Sequence, residues 1–254
     1  LNKGHHHVLT SLRQSLRNIA AYALDFFLPR LCVFCGEAVE LAANTAVCPA
    51  CDGLIERVAS PKCPCCGRRF PGQDGADHLC GPCATELPPF AAARAAVIYG
   101  EDGLTGQAIK GLKYARRLEY LPVLQSWLQE PHCREVAHGA EVIVPVPLHP
   151  RRLRERGFNQ ALLLAQALPG DLLRSTLVRT RYTKPQTGLD PRARRENVHG
   201  AFAVTRPRDI RGKTVLLVDD VYTTGATVGE CARTLLAAGA QKLLVLTVAR
   251  VGPR

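Results

Sequence analysis

The stretch 215–227, VLLVDDVYTTGAT, decides the fold. Val215–Val218 is a short apolar run bounded by turn signals, and a helix-compatible stretch, Val228–Ala238, follows it, so the pair predicts a buried strand feeding a helix. A tight loop at the carboxyl end of such a strand presents unpaired backbone N–H groups and a partial positive charge, which together suit a phosphate dianion. Thr223, Thr224 and Thr227 add hydroxyl donors, and Gly225 allows backbone to approach a ligand. The carboxylates of Asp219 and Asp220 repel phosphate but can accept from the vicinal hydroxyls of a ribose. Phosphate and diol together suggest a ribose 5-phosphate ligand. The competing reading is a generic strand–loop–helix in which Thr223 or Thr224 is an N-cap. A Walker loop is excluded, because no lysine follows Gly229.

The same stretch resembles the phosphoribosyl-pyrophosphate (PRPP) binding signature of type I phosphoribosyltransferases: apolar strand, acidic pair, then a Thr/Gly-rich loop. Tyr222 departs from it, an aliphatic residue being commoner there.

The chain has 254 residues and 46% hydrophobic content, enough for one large or two modest domains with a real core. A net charge of +11 points to anionic partners, phosphorylated metabolites or nucleic acid, without choosing between them. No run of 18 or more apolar residues occurs, so no integral membrane segment is expected and a cytoplasmic location is. Methionine is absent even at position 1, which leaves a non-standard start, processing or truncation open. Within residues 1–30, Leu9, Leu12, Leu16, Ile19, Ala23 and Phe26 recur every three or four positions, as in an amphipathic helix docking on the protein's own body, with a membrane or partner contact as the alternative. His5, His6 and His7 read as a frayed terminus before they read as a metal site.

Eight of eleven cysteines form four CxxC knuckles, Cys32/Cys35, Cys48/Cys51, Cys63/Cys66 and Cys80/Cys83. This spacing predicts two four-cysteine zinc sites within a small domain over 31–86; the pairing of knuckles stays open. Gly36 and Gly67 each follow a second cysteine, which favours Cys66 over Cys65 as ligand. Four ligands leave no open coordination position, so both Zn2+ ions are expected to be structural. Disulfides are disfavoured, since no signal peptide is visible. Cys133 and Cys231 read as buried or incidental thiols.

LPPF (87–90) marks a boundary, and residues 91–254 alternate between strand and helix patterns. Strands are expected at Ala95–Tyr99, Val142–Val146, Val215–Val218 and Leu243–Ala249, and helices near Leu104–Leu112, Leu118–Leu128 and Asn159–Leu168. The class is α/β, a mainly parallel sheet flanked by helices. Ligands of such sheets bind beyond the carboxyl ends of the strands. Strand Val142–Val146 runs into PLHPRRLRERGFNQ (147–160), which puts Arg151, Arg152, Arg154 and Arg156 on the phosphate-loop side as a basic loop for a polyanion. The segment 179–202 is long, basic and dotted with Gly and Pro, and reads as a mobile flap. Each basic run could instead be a solvated surface. Lys110, Lys113, Arg181 and Lys184 are weaker candidates for polyphosphate contact, and Phe158, Tyr182 and Phe202 could stack on a ring or lie in the core.

Together, GLKYARRLEYLPVL (111–124), VIVPVPLHPRRLRERGFNQA (142–161), RTRYTKPQTGLDPRARRENVHGAF (179–202), GKTVLLVDDVYTTGATV (212–228) and the cysteine knuckles resemble the ComF family, competence-associated proteins with a double zinc ribbon before a type I phosphoribosyltransferase-like domain. The resemblance covers nearly all of residues 31–250. It implies PRPP–Mg2+ binding in which Asp219 and Asp220, the catalytic candidates, hold the ribose hydroxyls. Thr223, Thr224, Gly225, Ala226 and Thr227 would take the 5-phosphate, the loop after Val146 would face pyrophosphate, and 179–202 would close over the site. The implied reaction transfers phosphoribose to an acceptor that nothing in the chain names. The alternative is a non-catalytic nucleic-acid-handling or assembly factor of the DNA uptake and recombination machinery, with single-stranded DNA or competence and recombination proteins as partners.

Overall fold

The structure is a computed structural model that describes residues 30–39, 46–72, 75–183 and 191–252. The amphipathic helix expected around Leu9 to Phe26, the histidine run and Lys184 lie outside the described residues. The chain forms two compact units, Leu1–Leu54 and Ile55–Arg254.

In the first unit, β1 (Arg30–Leu31) and β2 (Ala38–Val39) pair antiparallel across the Cys32–Cys35 knuckle, and α1 (Pro49–Gly53) starts at Cys48. Cys48 is the N-cap of α1, its sulfur accepting from the Cys51 N–H at 3.4 Å.

The second unit begins with the other knuckle pair and α2 (Gly81–Thr85), then builds the sheet. Its elements are β3 (Ala92–Tyr99), α3 (Leu104–Ala115), α4 (Leu121–Trp127), α5 (Pro131–His138), β4 (Val142–Pro145), α6 (Pro150–Arg156), α7 (Gln160–Ala165), β5 (Asp171–Leu172), β6 (Leu177–Arg179), α8 (Pro191–Val198), β7 (Phe202–Val204), β8 (Thr214–Tyr222), α9 (Ala226–Ala237) and β9 (Lys242–Val251). Among the described residues, five strands form an all-parallel sheet in the order β3-β9-β8-β4-β5. The central β8 is apolar without alternation because helices cover the sheet: Val215, Leu216, Leu217 and Val218 are all fully buried. Each such side chain contributes roughly 1.5–3 kcal/mol over its exposed state.

Two expectations change in detail. The strand expected to stop at Val218 runs on to Tyr222, with Asp219 opposite Thr247 and Tyr222 opposite Arg250, so the acidic pair belongs to the strand. The connection to α9 shrinks to residues 223–225. The ends of the 179–202 segment are also structured: β6 and β7 pair antiparallel, and Val198, Ala201 and Phe202 are buried, so apolar anchoring outweighs the loop-like composition there.

Residues 56–70 join the sheet directly. Val58 N–H donates to Ala96 O at 2.9 Å, Ile98 N–H to Glu56 O at 2.8 Å, and Ala93 N–H to Cys65 O at 2.7 Å. The second knuckle pair therefore shares the hydrophobic core of β4, β8 and α9.

Candidate functional site

Parallel pairing fixes where the site lies. Pro145 stands opposite Val218, and Val146 N–H donates to Val218 O at 2.9 Å, so β4 and β8 discharge their loops side by side at the carboxyl edge. Asp219 and Asp220 occupy that edge at 9% and 5% exposure, with the Asp220 N–H donating to Asp219 Oδ1 at 2.9 Å. Burial first, and then the charge of Asp220, push the Asp219 carboxyl above the usual aspartate range, against the pull of Lys113 and Arg179.

Lys113, near the end of α3, lies 2.8 Å from Asp220 Oδ2. That oxygen is buried and has no well-aligned hydrogen bond, so the pair is held by charge. Burial alone would lower the Lys113 pKa, but Asp220 and then Asp219 outweigh it and hold it above the ordinary lysine value.

After Tyr222 the chain turns through Thr223 and Thr224 to Gly225, the N-cap of α9, at φ +79°. A β-carbon there would stand 2.3 Å from the Tyr222 hydroxyl, so both conformation and space demand glycine. Thr224 Oγ1 accepts from Ala226 N–H at 3.4 Å, as expected of a residue just before a helix. Thr224, Gly225 and Thr227 are half-buried, Thr223 is exposed and Ala226 is buried. The turn thus joins the strand that carries the acidic pair to α9 through three residues.

The four arginines of the basic loop divide. On α6, whose N-cap His149 accepts from Arg151 N–H at 3.2 Å, Arg152 and Arg156 are half-buried on one face, while Arg151 and Arg154 are exposed. Arg156 donates to Gln160 Oε1 and lies over Tyr114 at 5.6 Å; burial lowers its pKa, with Asp220 opposing. Arg151 pairs with Glu155 at 3.2 Å and lies over Tyr182 at 4.9 Å. Arg116 donates to Glu155 O at 2.6 Å, tying α3 to α6 and bringing the 111–124 and 142–161 blocks together.

Of the weaker candidates, Lys110 is engaged by Glu101 at 3.1 Å and Arg181 by the carbonyls of Asn197 and His199. Phe202 is core, with Arg179 over its ring at 5.3 Å; Tyr182 is exposed, and Phe158 is half-buried. Arg179 escaped sequence reading. It donates to Thr183 Oγ1 and keeps a buried Nε without a partner, and burial, then Arg152, lower its pKa while Asp219 raises it. Its signal was a charge directly after two apolar residues, at the end of β6 (LVR).

The cysteines assemble as two groups, Cys32/Cys35/Cys48/Cys51 and Cys63/Cys66/Cys80/Cys83, each with its sulfurs within 4.8 Å of one another. Cys35 and Cys48 Sγ are 3.6 Å apart, as are Cys66 and Cys80 Sγ. A zinc tetrahedron with bonds of about 2.3 Å needs about 3.8 Å between sulfurs, so the donor sets fit structural Zn2+. Knuckle pairing is sequential. Gly36 and Gly67 take positive φ and donate to Cys32 O at 2.9 Å and Cys63 O at 2.8 Å, the tight turns each knuckle needs. Cys65 is outside the cluster. Burial pushes the Cys133 thiol up to about 12 and the Cys231 thiol well above the usual range, so both are inert. Among the described residues no helix is long and apolar enough to cross a membrane.

The double zinc ribbon domain family matches residues 23–84, and the phosphoribosyl transferase domain family matches residues 154–252. The "DNA utilization protein YhgH" of Escherichia coli K12 is 34% identical over 232 residues, 87% of this chain and 97% of that one. "Competence protein F" of Haemophilus influenzae is 31% identical over 241 residues, 89% and 99% of the two chains. "Competence protein ComFC" of Bacillus subtilis is 26% identical over 203 residues, 78% and 81%. With two four-cysteine clusters, a parallel phosphoribosyltransferase-like sheet and relatives matched along almost their whole length, this chain belongs to the ComF family.

Proposed function

We propose that the protein binds PRPP with Mg2+ at the carboxyl edge of β8 and transfers its phosphoribosyl group to an acceptor in a DNA-uptake setting. The observation that carries this reading is the buried Asp219–Asp220 pair near the end of β8, a strand joined to the N-terminus of α9 by a three-residue turn. Amide and hydroxyl donors of residues 223–227 hold the 5-phosphate, and the carboxylates accept from the ribose hydroxyls. In the reaction the C1–oxygen bond to pyrophosphate breaks as the acceptor's nucleophilic atom bonds to C1. Arg152 and Arg156 stabilise the charge that develops on the leaving pyrophosphate, and Lys113, 2.8 Å from Asp220 Oδ2, fixes that side chain while the sugar is held. Mg2+, when bound with PRPP, adds charge neutralisation on the pyrophosphate; acceptors for its shell are available at the acidic pair.

The four arginines test the reading. Substitution R156Q lowers PRPP–Mg2+ affinity by about 10- to 100-fold, the weight of a charge-assisted hydrogen bond, and R152Q acts in the same direction. R151Q and R154Q change it by less than about threefold, as exposed charges do. Calorimetry giving equal, small effects at all four positions contradicts the assignment. Isotope-labelled PRPP incubated with cell extract, with products identified by mass spectrometry, identifies the acceptor.

A second reading is favoured by the outward cluster of Arg151, Tyr182 and His149, in which the two rings meet edge-on at 5.2 Å, together with relatives named for DNA utilization and competence. An exposed aromatic beside arginine suits single-stranded DNA. Affinity for an oligonucleotide then falls with salt by about 0.7 log units per log unit for each phosphate contact, and R151Q lowers that slope by one contact. A salt-independent affinity excludes it.

A further inference from the structure

Two side chains join the second four-cysteine cluster to the phosphate loop. Arg250, on β9, is only 3% exposed; its Nη1 donates to the Cys66 carbonyl, and its Cζ lies 5.0 Å from the centre of the Tyr222 ring. A buried guanidinium requires such partners, and these two lie on opposite sides of the connection: one inside a metal-binding knuckle, the other at the end of β8. Tyr222 also stands perpendicular to Phe90, with ring centres 6.4 Å apart. Its hydroxyl fills the space where a Gly225 side chain would stand, so ring position and the left-handed turn at Gly225 are fitted to each other. The knuckle is itself pressed onto the sheet. Cys65 O accepts from Ala93 N–H at 2.7 Å, and a β-carbon on Gly67 would come within 2.6 Å of Ala93 O. The Cys65 and Cys66 carbonyls point where they do because the knuckle from Cys63 to Gly67 is closed, and a metal held by Cys63, Cys66, Cys80 and Cys83 closes it.

We propose that Tyr222 and Arg250 are positioning residues through which closure of the second four-cysteine centre shapes the phosphate loop, linking Zn2+ at that centre to a ribose 5-phosphate at the loop. The ligand half of this linkage rests on the function proposed above; the zinc-to-loop half does not. Linkage is reciprocal, so a phosphate ester that orders the loop also retards loss of this zinc. Cys32, Cys35, Cys48 and Cys51, in the other compact unit, serve as the internal control.

Hydrogen exchange at the amides of residues 222–230 in the zinc-loaded full chain, without ligand, tests it. Exchange rises about tenfold or more in C80S/C83S, R250Q and Y222L, and stays at the wild-type rate in C32S/C35S. R250Q and Y222L keep both zinc ions by elemental analysis, which separates the link from the metal, and Y222F, which retains the ring against Arg250 and Phe90, restores slow exchange. If C80S/C83S does not fold, R250Q and Y222L decide. Unchanged loop exchange in those two, or an equal rise in C32S/C35S, overturns the proposal. In a second arm, ribose 5-phosphate slows release of one of the two zinc ions to a chromogenic chelator. If wild-type protein binds neither PRPP nor ribose 5-phosphate, the functional reading falls and the exchange result still decides the coupling; equal release with bound ester overturns the ligand linkage.

Discussion

Asp219 and Asp220 are adjacent carboxylates with opposite energetic roles. Asp220 is matched by Lys113 at 2.8 Å, whereas Asp219 is held against its own desolvation and its neighbour's charge. Substitution D220N removes the nearer of the two carboxylates that balance Lys113 and lowers stability by ~1–3 kcal/mol. Substitution D219N behaves differently, and the sign follows from proton linkage. A carboxyl whose folded pKa is raised binds more protons folded than unfolded, so its contribution is favourable at low pH and is lost as pH rises through the folded value. Relative to wild type, D219N therefore gains thermal stability between pH 5 and pH 8; a pH-independent difference in melting temperature contradicts this. Both aspartates could be picked out by type from VDDVYTTGAT. Their division of labour could not, because Lys113 reaches Asp220 from a distant part of the chain.

At the scale of elements, Glu230 shows what a buried charge on a helix can hold. At 5% exposure on α9, it accepts from Gly200 N–H at 2.7 Å and from Arg233 Nε and Nη2 at 3.1 and 2.9 Å. Burial works against the carboxylate, but Gly200 and Arg233 outweigh it and hold its pKa below the usual range. Its stabilising effect is thus present above the ordinary glutamate pKa and lost as pH falls through the folded one. Substitution E230A costs ~1–3 kcal/mol and raises hydrogen exchange over residues 198–204, between α8 and β7. Exchange confined to α9 itself shows that the clamp is misassigned. This element-level contact explains why composition misled at 179–202: Gly, Pro and Arg suggest a flap, yet a distant glutamate and the apolar Val198, Ala201 and Phe202 fix one end of it. The strands β4, β8 and β9 were legible because fully buried parallel strands are continuous apolar runs, whereas β5 and β6, at two and three residues, carry too short a pattern to read.

At the scale of the molecule, the four knuckles gave both metal sites from spacing alone, but not their places. Two cysteine clusters of equal appearance sit in different compact units, and the second shares its core with β8 and α9. Reading LPPF as a boundary could not show this, since its Phe90 packs on Tyr222 at the far end of β8. Arg250 was visible as a charge in the apolar strand KLLVLTVARV, and Tyr222 as the departure from the PRPP signature; their contact gives each a physical reason. On the proposed function, the carboxyl edge of β8 holds a phosphorylated ribose by two separable recognitions. Calorimetric titration of wild type and of D219N/D220N with PRPP–Mg2+ and with inorganic phosphate measures them separately. Replacing each carboxylate by an amide, which keeps one acceptor oxygen but loses the charge that strengthens its hydrogen bond, lowers PRPP affinity in the double variant by about tenfold or more, while phosphate affinity changes by less than about threefold. Unchanged PRPP affinity in the double variant, or no PRPP binding by wild type, contradicts the account.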